Sequence, residues 1–176
     1  VAMIVTGENF PDALSASCFA GFNGYPILPV TKDSVPAETK EALGRVGASS
    51  LVVVGGTAVI SDAVKTEINA QTRVCGQNRY ETAKEMAKYA TDNGMNFMKV
   101  MLGTGANFPD ALTGGAFGAM KGAQLLLVNS SDLTNSPATK DCLTENKGSI
   151  INCYILGGTG AISENTMTQI DEILGN

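Results

Sequence analysis

Two copies of one polar loop hold the residues of this sequence that are best suited to binding a ligand. Residues 6–14 read TGENFPDAL and residues 104–112 read TGANFPDAL, so the copies differ at one position. Each loop follows an apolar run, and its proline predicts the first turn of a helix. Because a helix N-terminus presents free backbone N–H groups, such a loop favours an anionic ligand. The ligand residues predicted in the two loops are Thr6, Asn9, Asp12, Thr104, Asn107 and Asp110.

A structural role competes with the ligand role for these side chains. Asn9 and Asn107 can cap the helices that follow them, and Asp12 and Asp110 can each stabilise a helix dipole by about 0.3–1 kcal/mol. We expect the structural role for the aspartates, because carboxylates would repel an anionic ligand. For the asparagines the two roles stay open.

Paired glycines form a second repeated feature. Residues 55–61 read GGTAVIS and residues 157–163 read GGTGAIS, and each segment follows an apolar run typical of a strand buried on both faces. Paired glycines let the backbone approach a ligand or turn with positive φ, and a tight turn is the simpler interpretation. The glycines considered for the site are Gly55, Gly56, Gly157 and Gly158.

A segment that occurs once, residues 73–83 (RVCGQNRYETA), links the two copies. Arg73 begins a predicted short strand, and Asn78 is a predicted helix cap. Arg79 and Tyr80 then stand at the start of a helix, where a cation opposes the dipole and requires a carboxylate or an anionic ligand nearby. Structural and ligand roles are equally open for Arg79, packing is favoured for Tyr80, and all three residues are candidates for the site.

The composition excludes several classes of chemistry. The chain has 176 residues, of which 44% are hydrophobic and 16% charged, as in a globular protein. It contains no histidine, which excludes Ser-His-Asp and Cys-His catalysis within it. It also lacks a Gly-Lys-Ser/Thr phosphate loop and the Asp-x-Asp pair with which a phosphoester-cleaving enzyme would hold Mg²⁺. We therefore expect no metal, no cofactor and no catalytic residue.

Charge and hydropathy narrow the choice of partners. Seventeen acidic against 12 basic residues give a net charge of -5, which argues against sequence-independent binding of nucleic acid. No apolar run is long enough for a membrane span. The four cysteines lie too far apart for a CxxC pair and are expected to be buried thiols. Because the net charge is negative, an anionic partner would need a local basic site on the protein.

The repeated motifs occur in the same order in both halves of the chain, so the chain is a tandem duplication. Apolar runs alternate with helical segments, and Ser61 and Ser163 are predicted helix caps. This alternation predicts an α/β fold with mainly parallel sheets flanked by helices. If a repeat begins with the link, residues 73–176 are a complete repeat and residues 1–72 are a partial one without its opening strand and helix.

Together these motifs closely resemble the cell wall binding type 2 repeat of Gram-positive surface proteins. The resemblance rests on RVCGQNRYETA, the twice-used NFPDAL, the apolar PILPV and QLLLV, and the twice-used GGT followed by IS. It covers nearly the whole chain. It implies Toprim-like α/β modules in tandem, normally three copies around a pseudo-threefold axis.

The same resemblance implies a function outside the cell, at the cell wall. It implies non-catalytic anchoring of an exported surface or S-layer protein on an anionic wall polysaccharide or teichoic-acid-like polymer. Further copies of the repeat, in the parent protein or in a homo-oligomer, are the other expected partners. Two alternatives stay open: a structural repeat that only packs against other modules, and, less favoured, a phosphoester-acting α/β enzyme domain.

Overall fold

The computed structural model describes residues 1–175 as two parallel sheets with helices packed on them, and Asn176 lies outside the described residues. The first sheet has the strand order β2-β1-β3-β4. Its elements and the helices among them are β1 (Ala2–Thr6), α1 (Pro11–Asn23), β2 (Ile27–Val30), α2 (Ala37–Val46), β3 (Leu51–Val54), α3 (Asp62–Glu67), β4 (Thr72–Val74) and α4 (Arg79–Asp92).

The second sheet repeats this arrangement with the strand order β6-β5-β7. Its elements are β5 (Lys99–Thr104), α5 (Pro109–Lys121), β6 (Gln124–Val128), a 3₁₀ turn (Leu133–Asn135), α6 (Pro137–Asn146), β7 (Asn152–Ile155) and α7 (Glu164–Leu174). All strand pairs are parallel, so the predicted α/β class is confirmed. No helix of residues 1–175 is long and apolar enough to cross a membrane.

Local sequence signals set the helix ends where they were predicted. Pro11 and Pro109 occupy the first helical positions of α1 and α5. The Ser61 hydroxyl accepts a hydrogen bond from the N–H of Val64 at the start of α3, and Ser163 does the same for α7. The Asn78 side chain accepts from two N–H groups at the start of α4. The three predicted caps are therefore confirmed.

The link crosses from one sheet to the other. Its strand, β4, pairs with β3 and so belongs to the first sheet. Its helix, α4, packs Met86 and Ala90 into the core of the first sheet and Ala83 and Ala87 into the core of the second. The limits 1–72 and 73–176 therefore stay a prediction about sequence units, because the fourth strand of the first sheet, Thr72–Val74, crosses that limit.

Helices α1 and α5 hold the two repeats together through small residues. The Cys18 thiol lies 3.6 Å from the carbonyl oxygen of Gly115. A Cβ added at Gly118 would stand 2.9 Å from the Met101 sulfur and even closer to Cys18, so only glycine permits this approach. Cys18 and Cys142 are buried, as predicted, while Cys75 and Cys153 are only partly so.

Candidate functional site

Both polar loops lie at the carboxyl ends of parallel strands, β1 and β5, as predicted. Thr6 and Thr104 end these strands and are buried. Each threonine hydroxyl accepts a hydrogen bond from the N–H two residues on, at 3.2 Å in the first repeat and 3.1 Å in the second. The threonines therefore shape the loops from beneath, and their side chains do not face solvent.

Asn9 and Asn107 do not cap the helices. The residues at the cap positions are Phe10 and Phe108, and neither helix receives a side-chain cap bond there. The Asn9 side-chain oxygen accepts from the neighbouring N–H of Phe10 at 2.9 Å. Both asparagine side chains are exposed at the loop surface, where their amide groups can meet a ligand.

The two aspartates contact the glycine turns. A Cβ added at Gly55 would lie 2.7 Å from the Asp12 carboxylate, and one added at Gly157 would be closer still to Asp110. Gly55 and Gly157 also have φ values of 123° and 97°, which L side chains rarely adopt. The second glycines, Gly56 and Gly158, face open space. The first glycine of each pair is therefore required by the turn, as the simpler interpretation predicted.

The Asp12 carboxyl has an altered acidity. Burial beside the turn raises the pKa of Asp12 to about 6, and the nearby Arg79 cation opposes part of that rise. This carboxyl can therefore hold a proton under mildly acidic conditions, and then it no longer repels an anion.

Arg79 joins the two repeats from the start of α4. Its guanidinium donates a hydrogen bond to the carbonyl of Gly105, in the loop of the second repeat. The same guanidinium lies 5.7 Å from the centre of the Phe10 ring, in the loop of the first. Tyr80 packs against the core of the second sheet, which supports the packing role favoured for it.

A cleft of about 170 Å³ opens between the first loop, the first glycine turn and the link. Its lining combines the polar residues Asn9, Asp12, Gln77, Asn78 and Arg79 and the backbone at Gly56 with the apolar side chains of Pro11, Ala58 and Val59. Amide groups, backbone and one cation thus converge on a single opening. A larger cavity of about 260 Å³ beside α7 contains none of the motif residues, so the cleft is the candidate site.

Arg73 lies outside this cleft, although it was predicted with Arg79. It donates to the carbonyl of Gly55 at 2.7 Å and pairs with the Asp62 carboxylate at 3.1 Å. Its side chain is only 13% exposed. Arg73 therefore fastens β4 to the glycine turn and acts on the cleft only through that turn.

The sequence analysis did not predict an aromatic contact between the two loops. The rings of Phe10 and Phe108, which are equivalent residues, lie 5.5 Å apart between the two loops. Their presence in both copies of the motif was the signal that could have revealed it. No group of side chains suited to holding a metal ion occurs within residues 1–175.

Comparison with known proteins identifies curated relatives in Bacillus subtilis (strain 168). The chain is 33% identical over 169 residues to the N-acetylmuramoyl-L-alanine amidase LytC, covering 96% of this chain and 33% of that protein. It is 28% identical over 165 residues to an amidase enhancer, covering 92% of this chain and 21% of that protein. The chain thus spans a third or less of the length of these relatives.

Two solved structures from Clostridium difficile share the fold. Cwp6 superposes with a TM-score of 0.83 at 24% identity, over 98% of this chain and 27% of that one. Cwp8 superposes with a TM-score of 0.77 at 26% identity, over 99% of this chain and 29% of that one.

The sequence model of the family "Cell wall binding domain 2 (CWB2)" matches residues 1–65 and 73–167, which cover most of both repeats. This match agrees with the tandem parallel sheets and with the motifs that the two halves share. The chain therefore belongs to the cell wall binding domain 2 family and forms tandem cell wall binding modules of a surface protein.

Proposed function

We propose that the chain anchors its parent protein on an anionic polymer of the cell wall, a polysaccharide or a teichoic-acid-like chain, and that it performs no chemistry. The observation that carries this proposal is the position of Arg79, a cation that lines the cleft and also contacts both copies of the repeated loop, at Phe10 and at Gly105. A guanidinium has five N–H donors, and the bond to Gly105 uses one nitrogen. Its remaining donors can bind a phosphate or carboxylate.

The other groups of the cleft would bind the polymer at short range. Asn9 has an amide suited to sugar hydroxyls, and the open side of Gly56 lets a polymer approach the backbone. The Asp12 carboxylate can accept a hydrogen bond from a sugar hydroxyl when ionised, and the protonated carboxyl can donate one. Such contacts suit a chain whose net charge of -5 gives no long-range attraction to an anion.

In the second repeat we assign the same roles to the equivalent residues. Asn107 and the open Gly158 correspond to Asn9 and Gly56, while Asp110 and Gly157 form the supporting turn. The link that supplies Arg79 to the first repeat has no counterpart there within residues 1–175. We therefore place the stronger contact at the first cleft.

The absence of catalysis is part of the proposal. One relative is named an amidase and another an amidase enhancer, but the chain spans only 33% and 21% of them. We assign this chain to the wall-binding part that it matches. The cleft residues suit binding rather than hydrolysis, because they include neither a histidine nor a pair of acidic groups, which hydrolytic sites commonly use.

Further copies of the repeat are the second partner that we propose. Leu14 on α1 is 3% exposed because it packs against the second repeat, whereas its equivalent on α5, Leu112, is 58% exposed. Phe117 and Met120 extend this open apolar face of α5. A further repeat, in the parent protein or in an oligomer, would cover it as α5 covers α1.

Sedimentation with purified Gram-positive walls tests the polymer proposal. We expect the chain to sediment with intact walls and to stay in solution when the anionic polymer has been stripped from them. Equal sedimentation with both preparations would exclude the anionic polymer as ligand. No sedimentation with either would favour the alternative of a purely structural repeat.

A further inference from the structure

We propose that the outer edge of β7 is a docking site for one parallel strand that carries an arginine, supplied by a further repeat. The inference rests on the proposal above that further repeats are partners, and it names the contact by which one of them would join. The first repeat shows what such a site looks like when a strand is bound to it. There the equivalent edge, that of β3, is paired with β4.

In the first repeat the outer edge of β3 is fully satisfied. The N–H of Leu51 donates to the side-chain oxygen of Gln71 at 2.9 Å. The N–H of Gly55 donates to the carbonyl of Val74, at the end of β4, also at 2.9 Å. Every residue of β3 is buried. The added strand β4 thus turns an edge into an interior position.

In the second repeat the equivalent edge is open. β7 pairs with β5 in the register by which β3 pairs with β1, so Cys153 corresponds to Leu51 and Gly157 to Gly55. The N–H of Leu156 donates to β5. Because successive N–H groups of a strand alternate in direction, those of Ile155 and Gly157 are directed to the other side.

No strand of residues 1–175 covers this outer side, and the difference in burial reflects it. Asn152 is exposed and the rest of β7 is only partly buried, where β3 is buried throughout. Gly157 is exposed, whereas Gly55 is buried. An uncovered edge of this kind is a ready template for an additional strand.

The acceptors for an arginine are also duplicated. Arg73 of β4 donates to the carbonyl of Gly55 and pairs with Asp62, the first residue of α3. The corresponding groups in the second repeat are the carbonyl of Gly157 and the carboxylate of Glu164, the first residue of α7. Glu164 is exposed and forms no ion pair within residues 1–175. A carbonyl and a carboxylate so placed fit a guanidinium.

A second copy of this same chain cannot supply that strand from its own link. Its β4 is already paired with its own β3, and Arg73 is bound within the first repeat. The occupant must be a link strand that is not already paired, which a further repeat would carry at its start. We therefore commit to such a strand rather than to a homodimer at this edge.

The test appends a copy of residues 69–92 to the end of the full chain and measures hydrogen exchange of backbone amides. Tethering gives the strand a high effective concentration at the edge. We expect the N–H groups of Ile155 and Gly157 to exchange at least about tenfold more slowly than in the unextended chain. The amides of Val53 and Gly55 serve as internal reference, because their edge is occupied in every sample.

Three substitutions in the extended chain distinguish the contribution of the strand from that of the arginine. Val74→Pro in the appended copy removes a strand donor and should abolish the protection of Ile155 and Gly157. Arg73→Ala in the appended copy, or Glu164→Gln in the chain, should reduce the protection by about tenfold. Unchanged exchange at Ile155 and Gly157 in the extended chain would overturn the proposal, and equal protection with and without the arginine would overturn its arginine part. Because no wall material is present, either result is independent of polymer binding.

Discussion

The guanidinium of Arg79 donates a hydrogen bond to the carbonyl of Gly105, and this contact joins the link to the loop of the second repeat. Gly105 has no room for a side chain. A Cβ there would lie 2.8 Å from the Tyr80 ring and 3.0 Å from the Arg79 side chain. The loop and the start of α4 are therefore fitted to each other.

Replacing Gly105 tests that fit. We expect Gly105→Ala to lower the free energy of unfolding by about 1–3 kcal/mol, because the added methyl group displaces Tyr80 or Arg79. Urea unfolding followed by circular dichroism measures it. Gly158→Ala is the matched control, because that glycine faces open space and should change stability by less than about 0.5 kcal/mol. Equal effects of the two substitutions would contradict the close fit.

Asp12 should make stability depend on pH. Burial raises its pKa from 3.8 to about 6, so the folded state holds the proton more tightly than the unfolded state does. Stability due to this group is then highest below about pH 4 and falls as the pH rises toward about 6. In the unchanged chain we expect the free energy of unfolding to fall by roughly 1–3 kcal/mol between about pH 4 and about pH 6 because of Asp12. Asp12→Asn should remove this fall, as measured by urea unfolding at several pH values.

The exposed Asp33 provides the control for the pH experiment. Asp33→Asn should leave the decline in place. A decline that is the same in the Asp12→Asn variant and in the unchanged chain would show that Asp12 is not its source.

The open face of α5 should make the chain self-associate at high concentration. Leu112 is 58% exposed on that face, and an apolar surface of this kind tends to find a partner. We expect oligomers by light scattering and a loss of association in Leu112→Lys. Val46→Lys is the control, because Val46 is an exposed apolar residue on α2, away from α5. A strictly monomeric chain at high concentration would contradict this prediction.

Salt should weaken wall binding only modestly. If Arg79 is the main cation in contact with the polymer, about one counterion is released per site. Binding should then fall by about three- to fourfold between about 50 mM and about 200 mM salt, measured from sedimentation isotherms. A loss of about a thousandfold would indicate many phosphate contacts and a different surface.

Sequence patterns predicted the local structure well because its causes are local. Pro11, Ser61 and Asn78 mark helix starts through contacts within a few residues, and all three lie where the sequence placed them. The apolar runs and the duplication also predicted the two parallel sheets, since buried strands of this kind need helices on both faces.

Contacts between distant segments could not be predicted in this way. The strand of the link belongs to the first sheet because β4 pairs with β3. This pairing is accompanied by contacts of Arg73 with Gly55 and Asp62, which lie 18 and 11 residues away in the sequence. The approach of Asp12 to Gly55 is equally non-local, although the same two residue types recur together in the second repeat. The recurrence of these residues in both repeats was the only sequence signal for their contact, and it is equally consistent with a structural role and with a binding role.

The wall affinity of Arg79 variants, measured together with their stability, tests whether Arg79 holds an anionic wall polymer. Arg79→Ala should weaken binding by about 1–3 kcal/mol, and Arg79→Lys should restore only part of it, because lysine lacks the planar fork of donors. Affinity is to be expressed per folded molecule, since the bond to Gly105 also contributes to stability. If folded Arg79→Ala protein binds walls as tightly as the unchanged chain, Arg79 is structural and the assignment of the site is wrong.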